Sequence, residues 1–188
     1  MKKPLKKEGA VYQLKVTLKN SKPPIWRRIQ VTADTKLSRL HWMLQDVMGW
    51  TNTHLHQFKV GQTYYGEPSP DYDFEVEDER KITLGQAAPG AKMKFTYEYD
   101  FGDNWEHELL VEKVLAPEAG VRYPFCLDGR RACPPEDCGG VWGYEELLEA
   151  IRDPKNPEHD SMLEWVGEEF DADEFDLDAI NQELMHVK

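Results

Sequence analysis

Nowhere in the 188 residues are there about 20 consecutive apolar positions, the length a membrane-crossing helix needs. The N-terminal MKKPLKKEGAVYQLKV has lysines but no apolar segment behind them, so it is not expected to act as a secretory signal. Cysteine is scarce: Cys126, Cys133 and Cys138 are odd in number and too few for a disulfide scaffold. These absences lead to an expectation of reduced thiols and a cytoplasmic protein. Several signatures of chemistry are missing as well. There is no Walker loop, dinucleotide fingerprint, nucleophile elbow or HExxH helix. The letters DFG at Asp100–Gly102 come without the Gly-rich loop and HRD pattern of a kinase. The acidic run DADEFDLD has Phe175 and Asp176 where a calcium loop needs an acidic residue and a glycine, so it reads as helix caps.

What is present describes a globular chain: 40% apolar and 11% aromatic residues are enough for a core without staples. The net charge of −12 is unevenly spread. Residues 1–40 hold 11 Lys or Arg against 2 Asp or Glu, and the remainder holds 12 against 33. An acidic protein is repelled at long range by nucleic acid and anionic membranes. Only the basic N-terminal hairpin, with WRR at Trp26–Arg28, offers a local phosphate contact, and an edge strand with salt bridges to the acidic helices is the preferred account of it.

Hydrophobic periodicity places the elements. VYQLKVTL alternates, with Tyr12, Leu14, Val16 and Leu18 on one face, and IWRRIQV reads as its partner strand. Leu37, Leu40, Leu44, Val47 and Met48 recur at helical spacing, with Asp34 or Thr35 as cap and Gly49 as stop. Leu55–Val60 is a strand, and Gly66–Glu79 an acidic loop. ITLGQAA is a short helical turn. KFTYEYDF and WEHELLVEKV form a hairpin. Keeping both apolar faces inward implies the loop Gly102-Asp103-Asn104, with Tyr99 opposite His107. Glu98, Asp100, Glu106 and Glu108 then crowd the polar face. Helices are expected near 142–153, 157–166 and 177–185. The order predicts an α+β fold: a β-grasp-like mixed sheet with a helical C-terminal extension. It is read as one domain, with a core over 10–114, a Cys/Pro/Gly-rich loop over 115–141 and the extension over 142–188.

Metal-ligating residue types are scattered. His54 and His56 in HLH would share a strand face, and His41, His107, Cys126, Cys133 and Cys138 could complete a zinc site. The C-x6-C-x4-C spacing is not that of a zinc knuckle, and an apolar-face histidine such as His107 also fits a core role.

Four stretches in order, PPIWRRIQV, LHWMLQDVMGW with HLHQF, YDFGDNWEH and CLDGRRACPPEDCGG, resemble the Ri-plasmid third-open-reading-frame family. That family is also described as transposon passenger proteins of resolvase type. The resemblance runs from about Val11 to the final helix. It implies an association with plasmids and insertion elements and assigns no activity. It directs attention to Asp100, Asp103, Trp105, His107, Cys126, Cys133, Glu136 and Asp137 without giving them roles. Three functions follow in order of preference. The first is a non-catalytic cytoplasmic binding protein with a protein partner. The second is a metal-dependent enzyme using His, Cys and Asp ligands. The third is a nucleic-acid accessory protein.

Overall fold

The computed structural model describes residues 9–69, 75–167 and 169–187. Lys2, Lys3, Lys6 and Lys7 of the basic segment, and residues 70–74 of the acidic loop, lie outside the described residues.

Strands β1 (Val11–Leu18) and β2 (Trp26–Thr32) form the first antiparallel hairpin, followed by helix α1 (Leu37–Met48). Then come β3 (His56–Val60), β4 (Thr63–Gly66), β5 (Glu77–Asp78), the short helix α2 (Leu84–Ala87), β6 (Lys94–Tyr99) and β7 (Trp105–Leu115). Strand β8 (Phe125–Arg130) and helices α3 (Gly140–Arg152), α4 (His159–Val166) and α5 (Leu177–Leu184) complete the chain. The class is α+β, with one eight-stranded mixed sheet in the order β5-β4-β3-β6-β7-β1-β2-β8. Neighbours are antiparallel except β4 and β5.

The alternation in β1, β6 and β7 produces one apolar face, on which Tyr12, Leu14, Val16, Tyr97, Tyr99, Trp105 and Leu109 are fully buried. Helix α1 turns its Leu37, Leu40, Leu44 and Val47 stripe into the same core. It is fastened there by polar bonds as well. Arg27, inward on β2 and only 3% exposed, donates through Nε to the Val47 carbonyl at 2.8 Å. Gln45 Nε2 donates to the Tyr97 hydroxyl at 2.9 Å, that hydroxyl lies 2.8 Å from His41 Nδ1, and His41 Nε2 lies 2.8 Å from Asn52 Oδ1. The Asn52 backbone N–H returns to Gln45 Oε1 at 2.9 Å, closing the ring. An amide oxygen only accepts, so His41 carries its proton on Nε2, and Tyr97 donates to Nδ1. Burial, then the neighbouring His56, lower the His41 pKa to about 3.

Three details differ from the periodicity reading. Lys36, not Asp34 or Thr35, precedes α1, and no side chain caps it. Instead Leu37 N–H donates to the Ile82 carbonyl and Leu84 N–H to the Thr35 carbonyl, so the strand-like stretch beside α2 satisfies that end. The 115–141 segment contains β8, which pairs with β2 and shifts register between Arg28 and Ile29; Asp128-Gly129 breaks the alternation that would have revealed it. Consequently β2 is not an edge strand. Arg28 pairs with Glu112 on β7 at 2.7 Å and Asp128 on β8 at 3.2 Å, not with the helices.

His107 lies on β7 at 0% exposure, and neither ring nitrogen makes a well-formed hydrogen bond. Burial holds its pKa down at about 4, against the usual 6.5, with the nearby backbone of Tyr97 and Trp105 pulling weakly the other way. A depressed folded-state pKa means the unfolded chain binds protons first. The stability from neutral His107 is therefore complete above 6.5 and is lost as pH falls through about 4. His41 extends the same loss towards about 3. Urea denaturation from pH 7 to pH 4 should show this acid decline, shallower in His107→Leu than in the parent chain. Equal slopes in both would mean His107 is not held neutral.

Candidate functional site

The hairpin between β6 and β7 keeps the expected inward faces but not the expected register. Tyr99 pairs with Trp105 and Tyr97 with His107, two residues from the alignment that a three-residue loop gives. The loop is Asp100–Asn104, because Asp100 makes the turn with its own side chain. Its Oδ1 accepts from Gly102 N–H at 2.9 Å and from Asp103 N–H at 3.3 Å. Asp100 and Asn104 both adopt positive φ, 57° and 55°, conformations these residue types tolerate. Asp100 N–H donates to the Leu55 carbonyl at 2.8 Å, setting this loop beside His54. The crowded carboxylates are met individually by Gln57 on Glu98, Lys19 on Glu106 and Lys94 on Glu108. Asp100 stands apart from them, 8% exposed.

The CPPEDCGG loop, before α3, comes down onto this hairpin. Glu136 is its anchor. One carboxylate oxygen accepts from the Tyr99 hydroxyl at 2.5 Å and from Thr53 Oγ1 at 3.3 Å. The other accepts from Thr51 Oγ1 at 2.5 Å and from its N–H at 3.2 Å. Partial burial works to raise the Glu136 pKa, but the bonds from Thr51, Tyr99 and Thr53 win and hold it below the ordinary carboxylate value. Burial and then that same carboxylate push the Tyr99 phenol up to about 12. Trp50 Nε1 donates to the Pro134 carbonyl at 3.1 Å, and Gly139 N–H donates to Asp103 Oδ2 at 3.1 Å. Gly140, at φ 70°, packs so closely that a Cβ there would collide with the Asp103 carbonyl oxygen. The outcome of these contacts is the delivery of Asp137, itself at φ 61°, to His54: Asp137 Oδ1 lies 3.1 Å from His54 Nε2, with Asp100 Oδ2 3.7 Å from the same nitrogen.

Beside this junction opens a cleft of about 770 Å³. His41, His54 and His56 line it, with Asn52, Glu79, Asp100 and, at its rim, Trp42 at 49% exposure. His56 stacks on His41, ring centroids 3.4 Å apart and planes 4° apart, and its Nε2 lies 2.9 Å from the buried Glu79 carboxylate.

The residues named from sequence thus divide. Asp100, Asp103, Glu136, Asp137 and His54 converge. Trp105 and His107 are core residues beneath them, packed edge-on or tilted against Trp50. His54 and His56 do not share a partner: His54 lies just before β3 and turns to the aspartates, whereas His56 turns to Glu79. Cys126 is buried on β8, its N–H held by Asn181. Burial raises all three thiols, Cys138 to about 12, and all are free. Among the described residues, the His54, Asp100 and Asp137 group is the three-ligand cluster, and it includes no cysteine. Asn52 and Glu79 were not singled out from sequence. Glu79 ends a loop with no periodicity, and Asn52, at φ 56°, had only its tolerance of that conformation as a signal.

An α+β sheet with a polar cleft beside the β6–β7 hairpin, and a Cys/Pro/Gly-rich loop docked on that hairpin, is the class these features define. Residues 10–179 match the family model described as "Plasmid pRiA4b ORF-3-like protein", and the chain belongs to that family. It is similar to "Uncharacterized protein y4hQ" of Sinorhizobium fredii (strain NBRC 101917 / NGR234), 41% identical over 175 residues, which are 92% of this chain and 87% of that protein. It is also similar to the crystal structure of a protein of unknown function, MM3350, from Methanosarcina mazei Go1. That likeness has a TM-score of 0.81 and 37% identity, covering 91% of this chain and 97% of the other.

Replacing Glu136 by Ala should leave the Tyr99 hydroxyl and the Thr51 groups without their acceptor and cost about 1–3 kcal/mol in chemical denaturation. Limited proteolysis should then cut first within 131–139. An unchanged digestion pattern would show that the loop is held without Glu136.

Proposed function

We propose that this chain is a non-catalytic binding protein of the cytoplasm whose cleft takes a small polar ligand, neutral or positively charged. The observation that carries the reading is the cleft itself. Its volume of about 770 Å³ suits a small molecule, and hydrogen-bonding groups from three separate stretches, at Asn52–His56, Glu79 and Asp100, converge in it. The sign of the ligand follows from the lining. Glu67, Glu79 and Asp100 outnumber Arg80, whose guanidinium is already paired with Asp78 at 2.8 Å. Trp42 adds a flat face at the rim, suited to a ring or an organic cation. The cytoplasm is supported by the three free thiols. Among the described residues no helix is long and apolar enough to cross a membrane. A phosphate backbone is disfavoured by the burial of Arg27, by the pairing of Arg28 with Glu112 and Asp128, and by cation–π placement of Lys15 and Arg28 over Trp26.

A protein partner is the second reading. Trp165 is 50% exposed in a groove between α3 and α4 that also holds Leu147 and Met162, and Glu146 and Glu158 border it. Trp142, 77% exposed, lies one helical turn before Glu146. That chemistry fits a basic amphipathic helix. A Leu/Lys model helix should bind the chain in fluorescence titration and lose affinity in Trp165→Ala. Equal affinity in both would remove this reading.

For the cleft, amide and indole NMR spectra would be recorded with a library of amines, amino acids, polyols and nucleosides. The expected result is a shift of the Trp42 indole N–H and of the Asn52–His56 amides for neutral or cationic members, weakened about ten-fold or more in Trp42→Ala. A library that moves none of these resonances would overturn the proposal.

A further inference from the structure

Where the cleft meets the CPPEDCGG loop, His54 and Asp100 of the cleft lining are joined by Asp137, whose side chain is 71% exposed. His54 Nε2 is buried as an atom and makes no well-formed hydrogen bond, although Asp137 Oδ1 lies at 3.1 Å and Asp100 Oδ2 at 3.7 Å. The distance to Asp137 would suit a hydrogen bond, but the direction does not. Two carboxylates and an imidazole nitrogen therefore converge on a common space. All three ligand atoms lie within 4.8 Å of one another.

Those separations are ones a bound ion can bridge. Ligands about 2.0–2.2 Å from a metal, at tetrahedral or octahedral angles, are roughly 2.8–3.6 Å apart. The two separations from His54 Nε2 lie within or just beyond that range. The aim of the ligands is fixed from behind as well. Asp100 is nine-tenths buried and uses Oδ1 on the backbone N–H groups of Gly102 and Asp103, which leaves Oδ2 facing His54. Asp137 is held by its neighbour Glu136, whose carboxylate grips Tyr99 and Thr51. One imidazole with two carboxylates and no thiolate is a donor set for first-row divalent ions, and the imidazole disfavours Ca²⁺ and Mg²⁺.

We propose that His54, Asp100 and Asp137 bind one first-row divalent metal ion, Zn²⁺ or Mn²⁺, where the cleft meets the CPPEDCGG loop. Its remaining coordination positions face the cavity, where the oxygen of a small ligand can complete them. This rests on the small-ligand reading only for the identity of that last donor.

The test is calorimetric titration of the full-length, chelator-treated protein with ZnCl₂ and with MnCl₂, backed by native mass spectrometry. One equivalent should bind, and Mn²⁺ should broaden the ring-proton resonances of His54. Affinity should fall about ten-fold or more in Asp100→Asn and in Asp137→Asn. In Asp100→Asn the side-chain oxygen still accepts from Gly102 and Asp103, so the turn is kept and a loss of binding is not a loss of fold; an unchanged thermal melt checks this. Cys133→Ser and Cys138→Ser should bind as the parent does. The proposal is overturned by a chain that takes up neither ion, by binding that survives both aspartate substitutions, or by binding lost with the cysteines. Its failure is separable from that of the small-ligand reading. Library members that shift Trp42 in a chain unable to bind metal would leave only the ion wrong. Stoichiometric metal with an unmoved Trp42 would leave the ion right and the library reading wrong.

Discussion

A single carboxylate fastens the CPPEDCGG loop to the sheet beside the cleft. Glu136 takes bonds from Thr51, Thr53 and Tyr99, three residues on the sheet side, and so fastens a loop rich in proline and glycine that has few contacts of its own to fix it. Together with the Trp50 to Pro134 and Gly139 to Asp103 bonds, it lays Asp137 over His54. The arrangement is efficient because hydrogen bonds to an ionised acceptor are about twice as strong as neutral ones. It also explains the neighbouring chemistry: the phenol of Tyr99 is locked as a donor, with its ionisation pushed far from neutrality.

Beneath the cleft the core contains polar groups, and it handles them in two ways. His41, Tyr97, Gln45 and Asn52 satisfy one another in a closed ring, which is the condition under which a buried polar network specifies a structure rather than weakening it. His107 is instead kept neutral among Trp50, Tyr97 and the strand backbone. The ring sets the plane of His41, and His41 in turn sets the plane of His56 by stacking. The cleft wall therefore inherits its geometry from inside the protein.

Much of this was legible from residue order. Alternation gave β1, β2, β6 and β7 their faces, and the helical spacing of Leu37 through Met48, stopped by Gly49, gave α1 its extent. Parity said which side of the hairpin is buried but could not fix its register, because a loop longer by two keeps the same faces. The decision lay in Asp100, whose side chain replaces a backbone partner in the turn. Strand β8 was hidden because it depends on an edge offered by β2 rather than on any pattern of its own. The aspartates, Glu136 and the histidines were visible as residue types. Their meeting was not, since it is made by contacts between distant segments that leave no periodic trace.

The separation of those segments has a kinetic consequence. Thr51 and Glu136 are 85 residues apart, so the contact closes a very long loop. Such closures are entropically costly until other contacts have drawn the ends together. The N-terminal hairpin, α1 and the β6–β7 hairpin rely on nearer neighbours and can assemble first. The central β1–β7 pairing joins residues farther apart still, Leu18 with His107 at its nearest, so a chain that holds only its local hairpins has neither the closed sheet nor Asp137 over His54.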